Sequence, residues 1–149
     1  MSEIEISKLI LASSATIIGG VTVYVIGRIV EKFYIEPVHK QSNLIGEIAD
    51  SLIFCANIYG NPGVGKPEEM DEASKILRQH ASQLMASTQS IRAYWLLQLF
   101  RIVPKHKNII SAHQNLIGLS NSVYRENSRL EEHNDKRRKE IEKSLRIRK

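Results

Sequence analysis

Hydrophobic positions fall into two regimes along the chain. From Leu9 to Gly27 they form a run without a charged side chain. Beyond it they recur at steps of three and four between polar residues, the period of an amphipathic helix. As a helix the first run, roughly 19 residues, covers about 28 Å, close to the hydrocarbon thickness of a bilayer. Lys8 closes one end, and Arg28, Glu31 and Lys32 close the other. The pattern predicts a short N-terminal segment over 1–8 and a single transmembrane helix over 9–30. The alternative is a buried helix of a soluble protein, which Ser13, Ser14, Thr16, Thr22 and the glycines would suit. The length of the uncharged run weighs against it.

A cleavable signal peptide fits poorly, because MSEIEISK is not basic, the apolar run is too long, and RIVEKFYIEP offers no small-residue cleavage site. Lys8 stands alone before the span, whereas Arg28, Lys32 and Lys40 follow it, so the C-terminal body is expected on the cytoplasmic side of the cell (inner) membrane. Within the span Ala12, Thr16 and Gly20 lie four apart, a spacing that lets two helix backbones approach. They are candidate membrane-helix packing positions, with a homo-oligomer as the consequence.

After the span, 31–41 is expected as a juxtamembrane linker with a kink or break at Pro37, which lacks a backbone donor. Residues 42–124 then read as a small cytoplasmic helical bundle. Ile45, Ile48, Ala49, Leu52, Cys55, Ala56 and Tyr59 share one helix face, Ser42 or Asn43 would cap its start, and Gly60-Asn61-Pro62-Gly63 ends it. Pro67 to Thr88 forms a second helix with Glu68, Glu69, Asp71 and Glu72 crowding its first turns, where the helix dipole favours anions. The densest apolar stretch is Ile91 to Pro104. Ala93 to Val103 is too short to cross a bilayer and is expected as the central helix of the bundle, in preference to lying in the headgroup region with Tyr94 and Trp95 as anchors. Asn108 would cap a further helix with Ile109, Ala112, Leu116, Leu119 and Val123 inward.

From residue 125 to 149 the composition turns to charge. Glu132 with Lys136, Asp135 with Lys139 and Glu142 with Arg146 are acid-before-base pairs four apart, which support an exposed helix. Leu130, Ile141, Leu145 and Ile147 are too sparse for sustained heptads, so a basic charged helix or solvated tail is expected. Its cluster Lys136, Arg137, Arg138 and Lys139 is the candidate for contact with anionic lipid. Nucleic acid is the weakest partner reading, since no aromatic residue is interleaved after Tyr124.

Composition adds little to this all-α picture. The net charge of +5 suits an anionic surface without selecting one. The mean hydropathy of −0.23 averages a greasy N-terminus with a charged C-terminus. A single cysteine, Cys55, excludes an intrachain disulfide framework and reads as a small buried hydrophobe.

The candidate chemistry is thin. Gly60 to Lys66 satisfies the GxxxxGK pattern of a phosphate-cradling loop, but Pro67 replaces the magnesium-binding hydroxyl, and the preceding residues have the period of a helix where a strand is needed. His80 has no partner motif. His106 and His113 lack acidic or cysteine companions at metal-ligand spacing. No catalytic, cofactor or metal residues are assigned, and the chain is read as a non-enzymatic interaction or scaffold module with a protein partner of unknown identity. Nucleotide binding through Gly60 to Lys66, or anionic-lipid binding through the basic tail, is the alternative.

The phrases SNLIGEIADSLIFCANIYGNPG, ASKILRQHASQLMAS and VPKHKNIISAHQNLIGLSNS, following a hydrophobic N-terminus, give the chain a resemblance over roughly residues 30 to 124. It resembles an uncharacterised family of short bacterial membrane-anchored helical proteins with no assigned activity. The resemblance implies a helical, membrane-anchored chain and carries no site residues.

Overall fold

A computed structural model of the chain describes residues 3–125 and 128–147. Residues 1, 2, 126, 127, 148 and 149, which belong to the expected N-terminal segment and charged tail, lie outside the described residues. The described residues are all-helical apart from short turns and loops, without a strand. The chain divides into two compact units, Met1–Glu36 and Pro37–Lys149.

In the first unit, α1 runs over Glu3–Val30 and is followed by a π-helical turn at Glu31–Ile35. The helical stretch Ile6–Phe54 contains an 18-residue window of mean hydropathy 2.0, and none of that window is buried. It is the one helix among the described residues long and apolar enough to cross a membrane. The break expected at Pro37 takes a different form. In a regular α-helix the proline ring would meet the carbonyl of Phe33, four residues back. The wider turn immediately upstream, in which the amide of Glu36 bonds the carbonyl of Glu31, absorbs that conflict without ending the helix. Residues 31–41, expected as a linker, are therefore helical, and neither Ser42 nor Asn43 caps a helix start.

In the second unit, α2 (Glu36–Phe54), α4 (Pro67–Ser90), α6 (His106–Ser122) and α7 (Ser128–Leu145) supply one apolar core. Leu44, Ile48 and Leu52 of α2 meet Leu77, Ala81 and Leu84 of α4, Ile109, Ala112, Leu116 and Leu119 of α6, and Ile141 and Leu145 of α7. The three- and four-residue spacing of these positions gives each helix a single inward stripe. At Cys55 the backbone turns and a short α3 (Ala56–Gly60) begins. Pro67 opens α4 at its first turn with Glu68 and Glu69 beside it, as the sequence leads one to expect. Helix α6 begins at His106, earlier than an Asn108 cap would place it.

Two expectations about the second unit are overturned. The stretch from Ile91 to Pro104 is not a central helix. It forms only α5 (Tyr94–Leu99), which has no buried residue, while Ile91 and Val103 at its flanks are buried. Left-handed backbone at Ala93 (φ 51°) and Arg101 (φ 58°) terminates the segment on both sides. The charged C-terminal segment is not a solvated tail either. Asn134, Ile141, Ser144 and Leu145 of α7 are buried in the same unit as α4 and α6.

Candidate functional site

Helix α1 carries hydroxyls within its apolar run, and their geometry decides whether the run can sit in lipid. Ser14 donates to the carbonyl of Ile10 at 2.8 Å, Thr16 to that of Ala12 at 3.0 Å, and Thr22 to that of Ile18 at 2.8 Å. Each hydroxyl is thereby satisfied inside its own helix, which a segment in hydrocarbon requires. At the end of the run Arg28 and Glu31 form an exposed ion pair of 2.7 Å. Ala12, Thr16 and Gly20 are all exposed, and a Cβ added at Gly19 or Gly20 would meet nothing within 4 Å. The Thr16 hydroxyl is committed to Ala12, so this stripe offers close backbone approach and no polar contact.

The four basic residues at 136–139 do not act together. Lys136 pairs with Glu132 at 2.6 Å, and Lys139 with Asp135 at 2.5 Å, both on the exposed side of α7. Arg138 bridges Asp135 and Glu142 at 2.8 Å each. The Lys139 and Arg138 bonds hold the Asp135 carboxyl down at about 2. Arg137 turns inward, donating to the carbonyl of Gly118 and to Asn134 Oδ1, each at 3.1 Å. A side chain at 118 would have to displace the Arg137 guanidinium, since a Cβ there would come within 2.6 Å of Arg137 Nε.

The inward groups form a continuous polar seam. Tyr59 donates its hydroxyl to the carbonyl of Leu52 at the α2–α3 break, Asn134 donates Nδ2 to the carbonyl of Tyr59, and Arg137 joins Asn134 to Gly118. Burial pushes the Tyr59 phenol up to about 12, with the Arg138 charge partly offsetting it. This seam explains why so charged a helix docks: its few apolar residues are supplemented by an amide and a guanidinium satisfying backbone carbonyls of α3 and α6.

Other candidate chemistry resolves into structural roles. Ser51 Oγ and His80 Nε2 lie 2.8 Å apart between α2 and α4, in a groove with Glu47 and Asp50. A nucleophile–base pair would need an orienting group on the second imidazole nitrogen, and His80 Nδ1 is buried with no hydrogen-bond partner. Ser51 also sits within α2, where the backbone amides are engaged in the helix, so no pair of donors is offered to an oxyanion. Among the described residues no three His, Cys, Asp or Glu side chains are grouped to hold a metal ion. Cys55 is 1% exposed, and burial, together with the Glu72 charge, raises its thiol pKa, which suits a packing role.

The glycine loop after α3 is also differently occupied from a phosphate cradle. The Gly63 amide, at φ 82°, bonds the carbonyl of Val123, and the Val64 amide bonds that of Asn61. Lys66 extends into solvent toward Glu69 at 3.8 Å. Two loop amides are thus turned to backbone carbonyls, and helix α3 precedes the loop where a strand would be needed.

The segment that the sequence places in the core is an exposed apolar surface of the second unit, apart from the exposed Ile53 and Phe54 at the end of α2. Trp95, Leu99, Phe100 and Ile102 are 68%, 70%, 67% and 57% exposed. The segment is nevertheless held firmly: Tyr94 donates to the carbonyl of Pro104 at 2.7 Å, the Ile102 amide to that of Leu97 at 3.0 Å, and the His106 amide to Gln98 Oε1 at 2.9 Å. Arg101, Lys105 and Arg146 line the groove beside Leu99. One signal in the sequence marks this surface: no Asp or Glu occurs between Glu72 and Glu126.

No family model matches the chain, and no curated protein or solved structure shows significant similarity to it.

Proposed function

We propose that this chain is a membrane-tethered helical interaction module without catalytic activity. In this reading α1 holds it as a single pass in the cell (inner) membrane, and the second unit meets a protein partner on the cytoplasmic side. The observation that carries the reading is the nakedness of α1. A core helix of a soluble protein would be covered by its own chain, and here the apolar window is wholly exposed. The Ser14, Thr16 and Thr22 hydroxyls bond back to the helix, and charged residues flank the run, as a lipid environment demands. The excess of Lys and Arg after the span favours the cytoplasmic side for the second unit. Support for a binding role comes from the fate of the reactive residues: Ser51, His80 and Cys55 serve packing or interhelical bonding.

Cysteine labelling tests the facing. In a Cys55→Ser background, Lys66→Cys places a thiol at an exposed loop position. In intact spheroplasts a membrane-impermeant maleimide should leave it unlabelled, and permeabilisation should make it reactive. Labelling before permeabilisation would reverse the proposed orientation, and the same thiol in the soluble fraction would remove the tether.

A further inference from the structure

We propose that the α5 segment, Tyr94–Ile102 together with Lys105 and Arg146, is a second membrane contact that rests on the anionic headgroup surface of the bilayer. The inference builds on the tethering proposed above. Trp95 and Leu99 are four residues apart and share a face of α5; Phe100 and Ile102 extend it through the turn that follows. Large apolar groups so exposed and contiguous need an apolar phase or a partner. The surrounding charge selects between these. Arg101, Lys105 and Arg146 lie beside the patch, and among the described residues none of them pairs with a carboxylate. Cations beside tryptophan, phenylalanine and leucine match the chemistry of an anionic lipid interface, where rings sit at headgroup level and guanidinium and ammonium groups meet phosphates.

The patch is also built in advance. Ile91 and Val103 root the segment in the unit at 4% and 2% exposure. Left-handed turns at Ala93 and Arg101 aim it outward, and the Tyr94–Pro104 and Gln98–His106 bonds close it into a rigid protrusion. Its position in the second unit suits the role. Ile102, Val103, Pro104 and Arg146 line one groove with Val38, His39 and Ser42, the first residues of that unit. Only residues 31–36 separate that end of the unit from Val30, a reach of roughly 25 Å even fully extended. The lipid surface is therefore within range of α5 whenever α1 is inserted. By contrast Lys136, Arg137, Arg138 and Lys139 of α7 are engaged with carboxylates or backbone carbonyls, and Arg146 donates to the carbonyl of Arg101 at 3.0 Å, so the cations left to meet lipid phosphates are Arg101 and Lys105, with Arg146 bracing the turn between them.

Trp95 is the sole tryptophan and reports on the patch directly. The full chain would be reconstituted into phosphatidylcholine vesicles with and without phosphatidylglycerol, each containing a fraction of lipid brominated on the acyl chains. The expected result is a blue-shifted Trp95 emission quenched by bromine in the anionic vesicles, weaker in neutral ones and weakened by salt. Arg101→Gln with Lys105→Gln should lower the ratio of lipid-inserted to free Trp95 by roughly 5-fold per cation, about 25-fold together. Emission that stays at the wavelength of a water-exposed indole in every vesicle would overturn the proposal. So would a blue shift that bromine does not quench and that grows with protein density, the mark of a second copy covering the patch. Flotation after an alkaline wash is read in parallel and depends on α1 alone. Protein that floats with Trp95 unquenched refutes the α5 contact and leaves the tether; protein that washes off yet is quenched at neutral pH refutes the tether and upholds the contact.

Discussion

Docking of α7 makes a quantitative claim at Ile141. The side chain is fully buried in the core cluster shared with α2, α4 and α6. Replacing it with alanine removes a methyl and an ethyl group. At roughly 0.8 kcal/mol per buried methylene-sized group, transfer alone costs about 2.4 kcal/mol, and a cavity that does not collapse adds about 24 cal/mol per Å³. The expected loss is between about 2 and 4 kcal/mol. Lys143→Ala, on the exposed side of the same helix with its side chain 81% exposed, should change stability by less than about 0.5 kcal/mol. Amide hydrogen exchange on the full chain in micelles reads both. Opening of α7 should become roughly 30- to 800-fold more frequent in Ile141→Ala and stay near the parent value in Lys143→Ala. Equal protection in the two variants would mean that α7 is the solvated tail its composition suggests.

Further expectations follow the same geometry. Gly118→Leu should displace Arg137 and cost about 1–3 kcal/mol by leaving the seam's polar groups unsatisfied, read as a lowered urea midpoint; an unchanged midpoint would show that the seam is not stabilising. Ala93→Gly relieves left-handed backbone and should raise stability by about 1 kcal/mol; a loss would contradict the turn geometry. The phenol of Tyr59 is pushed up to about 12 by burial, so its contribution to stability is full below about 10 and is lost as pH rises from there through 12. An ultraviolet phenolate titration should show a phenol that ionises near 12 and is lost in Tyr59→Phe; a late-titrating absorbance unchanged by that substitution would refute its burial.

Much of this fold is written in residue spacing. The stripes of Ile48 and Leu52 in α2, of Leu77, Ala81 and Leu84 in α4, and of Ile109, Ala112 and Leu116 in α6 are legible because these inward positions are apolar at three- and four-residue steps. Earlier in α2 the buried position is Leu44, with the expected Ile45 and Ala49 only half-buried, and Gln41 and Ser51 are inward polar residues that the period does not mark. The helix of α7 is legible in its acid–base pairs, but its docking is hidden because Asn134 and Arg137 occupy inward positions that an apolar residue would otherwise mark, and carbonyls of Tyr59 and Gly118 make them tolerable there. Such pairings depend on tertiary contacts that no local period records. The stretch at Ile91–Pro104 misleads in the opposite sense. Hydrophobicity predicts burial by default, and here left-handed residues at Ala93 and Arg101 cut the helix short and turn Trp95, Leu99 and Phe100 outward. Alanine and arginine give no sequence warning of positive φ. The adjoining absence of acidic residues is legible, and it is the one sequence feature that separates this surface from an ordinary core segment.

Tethering is tested most directly by the fraction of the intact chain that remains with membranes after extraction at alkaline pH. With α1 spanning the bilayer, nearly all of it should stay in the membrane pellet and be released only by detergent. Quantitative release into the alkaline supernatant would contradict the tether, because a helix so uncovered by its own chain would then need another cover.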